Sequence, residues 1–433
     1  MGDDYVNLPT ASPFMSGSAP VPQINERLLL FTLAAVQFTH IMDFMIMMPL
    51  GPAFMRAFGI SPTEFGFLVS SYSYSAGVAG FAAAFFIDRF DRKKALLVLY
   101  SGFILGTFSC ALAPNYFTLL LARTVAGGFG GVAGSVILAI VGDVIPFERR
   151  GHAMGIIMTS FSLASILGLP IGLMFAGWFS WHAPFLLLAG TGAIILLTAK
   201  KTLPQLLPHG HGTAHDTWTQ MRTILTHPNH HRSFALIAVL TASGSLIYPY
   251  LTPSMVANVG LPESEMWLIY LFGGAATFIT ARYIGRLADR HGKLKVFGIT
   301  AALSAIPTLS ITYLPPVAVW VVLIVTTTYM IFSSGRMVPS MAMITASVEP
   351  RYRGGFMSVN SAIQQIAAGV ATSGAALLVG SDAKGHITGF PRLGWLSLVL
   401  LAGAIPLARR LRVSGNPSPI LVAEIEPMIE ATG

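Results

Sequence analysis

Along most of the chain, apolar residues run for about 20 positions and then give way to a short polar turn, and about 20 residues of helix is what crosses a hydrocarbon core. Such segments fall at 27–50, 63–87, 95–113, 116–144, 152–176, 183–199, 233–257, 265–285, 294–313, 317–346, 354–380 and 393–411. Backbone N–H and C=O groups find no water inside a bilayer, so each segment must satisfy its own hydrogen bonds as a helix. The pattern predicts an all-α integral membrane protein with about twelve transmembrane helices. One interruption is long. Residues 200–232 are polar and carry His209, His211, His215, His227, His230 and His231, which reads as a solvated, flexible linker between two six-helix halves, 27–199 and 233–411. Residues 1–26 and 412–433 are expected to be cytosolic tails.

The halves repeat. After the second segment comes Asp88-Arg89-Phe-Asp91-Arg92-Lys93, and after the eighth comes Asp289-Arg290-His-Gly292-Lys293, 201 residues later. Glu148-Arg149-Arg150-Gly151 after the fourth segment is echoed by Glu349-Pro-Arg351-Tyr-Arg353-Gly354 after the tenth, again at an offset of 201. Two loop motifs at one offset imply a duplicated unit, the internal symmetry of many carriers, and hence two pseudo-symmetric six-helix halves.

Composition removes the soluble alternatives. With 54% hydrophobic residues, 10% charged and a mean hydropathy of +0.68, the chain has too little charge to cover a soluble globule. The net charge of +8 does not point to nucleic acid, because the cations sit in short loops on one side of the segments. The positive-inside rule makes that side cytosolic, places both termini there, and suits a bacterial inner membrane. Cys110 is the single cysteine, which excludes an intrachain disulfide framework and a cysteine-rich metal site. No nucleotide loop, metal-ligand pair or nucleophile motif is present, so the chain reads as a non-enzyme without metal or cofactor, acting as a monomer.

The first apolar segment holds a carboxylate, Asp43, that costs about 2.5–3.5 kcal/mol to place at a bilayer centre, so an ionisable group there marks function and needs a partner. Helical spacing puts Gln37, His40, Asp43 and Met47 on one stripe. The tenth segment offers Arg336 and the eleventh Asn360 and Gln364, polar faces that would be costly against lipid and are expected to line the interior. Either Arg123 or Arg336 can serve as partner to Asp43. Tyr248-Pro249-Tyr250 with Pro253 predicts a broken seventh helix with aromatic groups at the cavity. Methionines crowd near these stripes, which suits an adaptable cavity for amphipathic organic molecules and leaves a soft-metal path as the lesser reading.

The acidic-basic loops after the second and eighth segments, with the Arg-Gly loops after the fourth and tenth, resemble the major facilitator superfamily over essentially the whole chain. Met42-Asp43-Phe-Met, Pro49-Leu-Gly51-Pro52 and Gly335-Arg336-Met-Val-Pro339 resemble its arabinose-efflux-permease type, relatives of twelve-span drug:proton antiporters. Ala84 and Asp91 stand where that family has glycines in the first loop, and Ala126 replaces a glutamine of its fourth-span arginine motif. The resemblance implies a rocker-switch carrier whose cavity is built from spans one, four, seven and ten. It also implies that Arg123 meets an acidic group in the proton path. The resulting expectation is proton-coupled export of a small molecule, with Asp43, Arg123, Arg336 and His40 in coupling. Gln37, Met47, Tyr248, Tyr250, Arg336, Asn360 and Gln364 are expected at the substrate. Asp88, Arg89, Arg92, Asp289 and Arg290 are expected to latch the cytosolic side. A facilitator or symporter for a sugar or organic anion would share this architecture.

Overall fold

The computed structural model describes residues 25–87, 90–204 and 214–412. The first span is broken into α1 (Glu26–Ile46) and α2 (Gly51–Phe58), followed by α3 (Pro62–Ala83), α4 (Arg92–Ala111) and α5 (Tyr116–Val144). The fifth span is α6 (Phe147–Leu163), a π-turn at Ala164–Gly168 and α7 (Leu169–Trp178), and α8 (His182–Thr202) completes the half. A connector helix, α9 (Ala214–Thr226), precedes the seventh span, itself broken into α10 (Pro228–Ser245) and α11 (Tyr248–Ala257). Then come α12 (Met266–His291), the ninth span as α13 (Lys293–Leu303) and α14 (Ala305–Thr312), α15 (Val319–Ala346), α16 (Arg353–Leu378) and α17 (Phe390–Arg409). A two-residue hairpin, β1 (Gly380–Ser381) with β2 (Ile387–Thr388), joins the last two spans.

Local chemistry sets the span starts. Asn25, Ser61, Asp91 and Asn115 each accept a backbone N–H from the first turn of the helix that follows, satisfying one of the donors left open there. Pro170 supplies no N–H to the ladder, and the fifth span loosens into its π-turn just before it.

Among the described residues, ten stretches are long and apolar enough to cross a membrane by length and composition alone. The second and eleventh spans, α3 and α16, fall short because of residues such as Ser70, Tyr72, Ser73, Asn360 and Gln364. They can carry this polarity because they pack along one another, shielded from lipid. The eighth span packs against the fifth in the same way. Since the repeat maps span two onto eight and span five onto eleven, the two inter-half interfaces are copies of each other.

The halves are sealed together at the end opposite the basic loops. There α2 meets α11, the Tyr250 hydroxyl donates to the Pro62 carbonyl at 3.1 Å, Thr63 donates to the Val379 carbonyl at 3.2 Å, and Ser373 donates to Ser70 at 2.9 Å. Arg56 pairs with Glu263 through both guanidinium nitrogens, one at 2.7 Å. Because Arg56 is 62% exposed, Arg56→Gln is expected to lower unfolding stability by no more than about 1 kcal/mol, measurable by thermal unfolding in detergent.

The connector departs from expectation. Residues 200–232 are not a solvated linker throughout, since α8 runs to Thr202, α10 starts at Pro228, and α9 buries Met221 and Ile224 in a cluster with Phe234 and Phe356. His230 donates to the Ile224 carbonyl at 3.0 Å and His231 to that of Leu225, so these rings close the last turn of α9. Trp218 lies 5.8 Å from Phe85 of the other half. The side-chain pattern fits because one face of a short helix carries Met221, Ile224 and Leu225 against the bundle while the rest stays polar. Ile224→Ala is expected to cost about 2–5 kcal/mol, seen as a lowered unfolding midpoint, which a freely solvated linker would not show.

Candidate functional site

Asp43 lies on the last turn of α1, just before the break, and is fully buried. Three other spans complete its surroundings. Arg123 of α5 reaches it with an Nη1–Oδ2 distance of 2.6 Å, and Thr107 of α4 donates to Oδ1 at 3.1 Å. The Arg123 guanidinium carbon stands 4.4 Å over the ring of Tyr72 from α3, and Cys110 borders the pair. Removing two charges from water costs several kcal/mol per ion, and here a short charge-assisted bond, a hydroxyl and an aromatic face offset it.

The offset is incomplete. Seven buried side-chain atoms among the described residues have no hydrogen-bond partner, and four of them crowd this cluster: both ring nitrogens of His40, the Tyr72 hydroxyl and Arg123 Nε. An unmade bond of this kind costs about 1–3 kcal/mol, and four in one place make this cluster the candidate functional site. His40 sits one turn before Asp43, with its ring centroid 5.7 Å from Phe103 and 6.3 Å from Tyr72. Gly130 permits that placement, since a Cβ there would lie 2.7 Å from the imidazole.

The second polar centre is in the other half. Arg336 of α15 is 3% exposed and donates to Ser304 at 3.4 Å. Tyr248, at the break of the seventh span, and Tyr329 flank it with rings 5.5 Å apart. No carboxylate lies within 4.0 Å of Arg336 among the described residues. Asp43 therefore pairs with Arg123 in its own half and not with Arg336, which resolves the choice that spacing left open.

The remaining residues distribute as follows. Gln37 is half-buried beside Gly134, Asn360 is buried with an unpartnered Oδ1, and Gln364 is half-buried on the same helix as Asn360. Tyr250 and Met47, expected at the substrate, stand instead in the apolar core of the seal with Phe54 and Phe65. Arg92 bonds Asp143 of its own half at 3.2 Å. Asp88 and Arg89 lie outside the described residues, and Asp289 and Arg290 are exposed without an ion pair among the described residues. Thr107, Tyr72 and Asp143 went unrecognised in the sequence. Only Tyr72 had a signal, the polar run Ser-Tyr-Ser-Tyr in span two. The methionines divide between clusters, Met42 and Met47 at the seal and Met337, Met341 and Met343 near the basic end, and no group of His, Cys, Asp and Glu able to hold a metal occurs among the described residues.

Comparison with known proteins agrees with this architecture. The sequence profile described as Major Facilitator Superfamily matches residues 33–372 and 233–424. The chain is 26% identical over 361 residues to the uncharacterized MFS-type transporter YceJ of Bacillus subtilis, spanning 82% of this chain and 90% of that one. It is 25% identical over 240 residues to a probable sugar efflux transporter of Helicobacter pylori, spanning 55% of this chain and 60% of the relative. Among solved structures, a bacterial homolog of the human lysosomal transporter Spinster in an inward-facing, occupied conformation superposes with a TM-score of 0.72 at 15% identity, covering 90% and 98% of the two chains. The nucleoside transporter NupG superposes at 0.70 with 13% identity, covering 89% and 100%.

Proposed function

This chain belongs to the Major Facilitator Superfamily, and on that premise we propose that it is a proton-coupled antiporter that exports a small organic molecule, with Asp43 as its proton-binding group. The observation that carries the reading is the buried Asp43–Arg123 pair, bonded at 2.6 Å yet surrounded by unpartnered donors and acceptors. A proton on Asp43 removes the charge that holds Arg123. The guanidinium is then free to turn toward other acceptors, which gives α1 and α5 two arrangements separated by one proton. His40 and Tyr72 are the neighbouring groups through which a proton reaches the carboxylate. Orientation follows from the loops: the basic end faces the cytosol, and the seal around Tyr250, Pro62 and Ser70 closes the outer side. Asp88, Arg89, Asp289 and Arg290 then close the cytosolic side in the alternate state.

The energetics are adequate. One charge moving down a membrane potential yields about 2.3 kcal/mol per 100 mV, and one pH unit yields about 1.4 kcal/mol. The sugar efflux relative makes sugars and sugar derivatives the first substrates to try. In proteoliposomes, an imposed pH gradient is expected to drive labelled substrate above equilibration, and dissipating the gradient with an ionophore is expected to return it to equilibration. Flux that only equilibrates, with or without the gradient, would instead identify a facilitator.

A further inference from the structure

The buried charges do not balance. Among the described residues, the buried ionic groups are Asp43, Arg123 and Arg336, and the first two neutralise each other. Arg336 is left as a single cation among α10, α13, α15 and their neighbours, with one long hydrogen bond to Ser304. An arginine stays protonated at any physiological pH, so the site cannot escape its charge by losing a proton. Beside it, the Tyr329 hydroxyl is buried without a partner, and the Tyr248 ring, at the break in the seventh span, lies 5.5 Å from that of Tyr329 with the two planes tilted by 55°. A guanidinium fork next to an unpaired phenol donor, that of Tyr329, is a donor set that recognises a planar oxyanion, and a bound anion would repay the desolvation that Arg336 now bears alone.

We propose that Arg336, with Tyr248 and Tyr329, is the recognition site for the carboxylate of a monoanionic substrate. This rests on the carrier reading above but not on the role of Asp43, because Arg336 and the bound carboxylate form a neutral pair of their own in the other half. The aromatic walls supply the complement for the substrate's apolar or ring portion.

Two measurements on the full-length purified protein test it. The first needs no ligand. Arg336→Met removes an uncompensated charge, so the unfolding midpoint of the empty protein is expected to rise by a few degrees, whereas Arg123→Met, which strands Asp43, is expected to lower it. A fall for Arg336→Met comparable to that for Arg123→Met would overturn the proposal by making Arg336 structural. The second uses matched probes that differ only in charge: D-glucuronate, D-glucose and D-glucosamine, and benzoate, benzyl alcohol and benzylamine. Equilibrium binding by thermal shift is expected to favour the anion of a set at least about tenfold over its neutral and cationic analogues, and Arg336→Met is expected to erase that preference while Arg336→Lys keeps part of it. Neutral or cationic probes binding as tightly, or an anion preference unchanged in Arg336→Met, would overturn it. Both readouts are equilibrium binding or stability, so they hold even if Asp43 proves not to couple protons.

Discussion

Asp43→Asn is expected to abolish accumulation against a gradient while leaving substrate-for-substrate exchange measurable. The asparagine keeps an oxygen for Thr107 and Arg123 but can neither ionise nor take up a proton, so the carrier can still change conformation with substrate aboard. Stability should move too. Arg123 would lose its counter-charge in a fully buried site, and breaking one partner of such a pair costs about 3–5 kcal/mol. The double variant Asp43→Asn with Arg123→Gln removes the stranded charge and is expected to recover much of that loss without restoring accumulation. The cycle of single and double variants should therefore show a strong interaction energy between the two positions. Uphill transport by Asp43→Asn at the wild-type rate would remove the carboxylate from the coupling mechanism.

The second large effect is expected at the seal. Gly66 of α3 faces Tyr250 and α16 so closely that a Cβ built there would lie 2.1 Å from the Tyr250 hydroxyl and 2.5 Å from the Ala376 Cβ. Gly66→Leu cannot be accommodated while Tyr250 stays bonded to Pro62. Overpacking of this kind costs about 1–3 kcal/mol, and because it is charged only to the sealed arrangement, it shifts the conformational equilibrium by about tenfold or more toward separation at that end. Transport should fall sharply while the protein still folds. The native thiol is buried, so an added cysteine at Ser70 can be followed with a membrane-impermeant maleimide. Labelling in Gly66→Leu is expected to be about tenfold faster than in the otherwise unaltered Ser70→Cys protein. Equal labelling and undiminished transport would show that close approach at Gly66 is not what seals the halves.

How much of this was legible in the sequence depends on what fixed each feature. Hydropathy set the spans, because lipid imposes one length and one backbone structure on every crossing. The repeat was visible for a related reason: loop motifs such as Asp88-Arg89 and Asp289-Arg290 recur at a constant offset. The break in the seventh span was marked by its prolines, and the structure adds a matching break in the first, after Ile46. Facing partners were a different matter. Spacing places Asp43 on a stripe but does not say whether α5 or α15 stands opposite; the family resemblance favours Arg123 slightly, and only the packed helices decide for it. Thr107 was invisible because a lone hydroxyl in an apolar span usually bonds its own backbone, as Thr39 and Thr326 do here. Tyr250 misled because an aromatic beside a helix break serves a cavity or a seal equally well, and only the Pro62 carbonyl decides between them. The connector misled because 13 residues of weakly apolar helix are hidden by the histidines around them, and only contact with Phe234 and Phe356 gives α9 a buried face.

If the substrate is anionic, exporting it against an entering proton moves two charges in the favourable direction, so a membrane potential contributes about 4.6 kcal/mol per 100 mV instead of about 2.3. Such a carrier would be strongly electrogenic, and potential alone would drive it even without a pH difference.

The central claim is that Asp43 holds the proton that substrate displaces. Its most direct test is proton release on ligand binding, followed with a pH indicator in lightly buffered detergent solution, using the strongest binder of the charge-matched probes. Wild-type protein is expected to release close to one proton per ligand bound over the pH range in which binding is antagonised by acid, and Asp43→Asn is expected to bind with no release. Equal release from Asp43→Asn, or proton uptake by the wild type, would contradict the account.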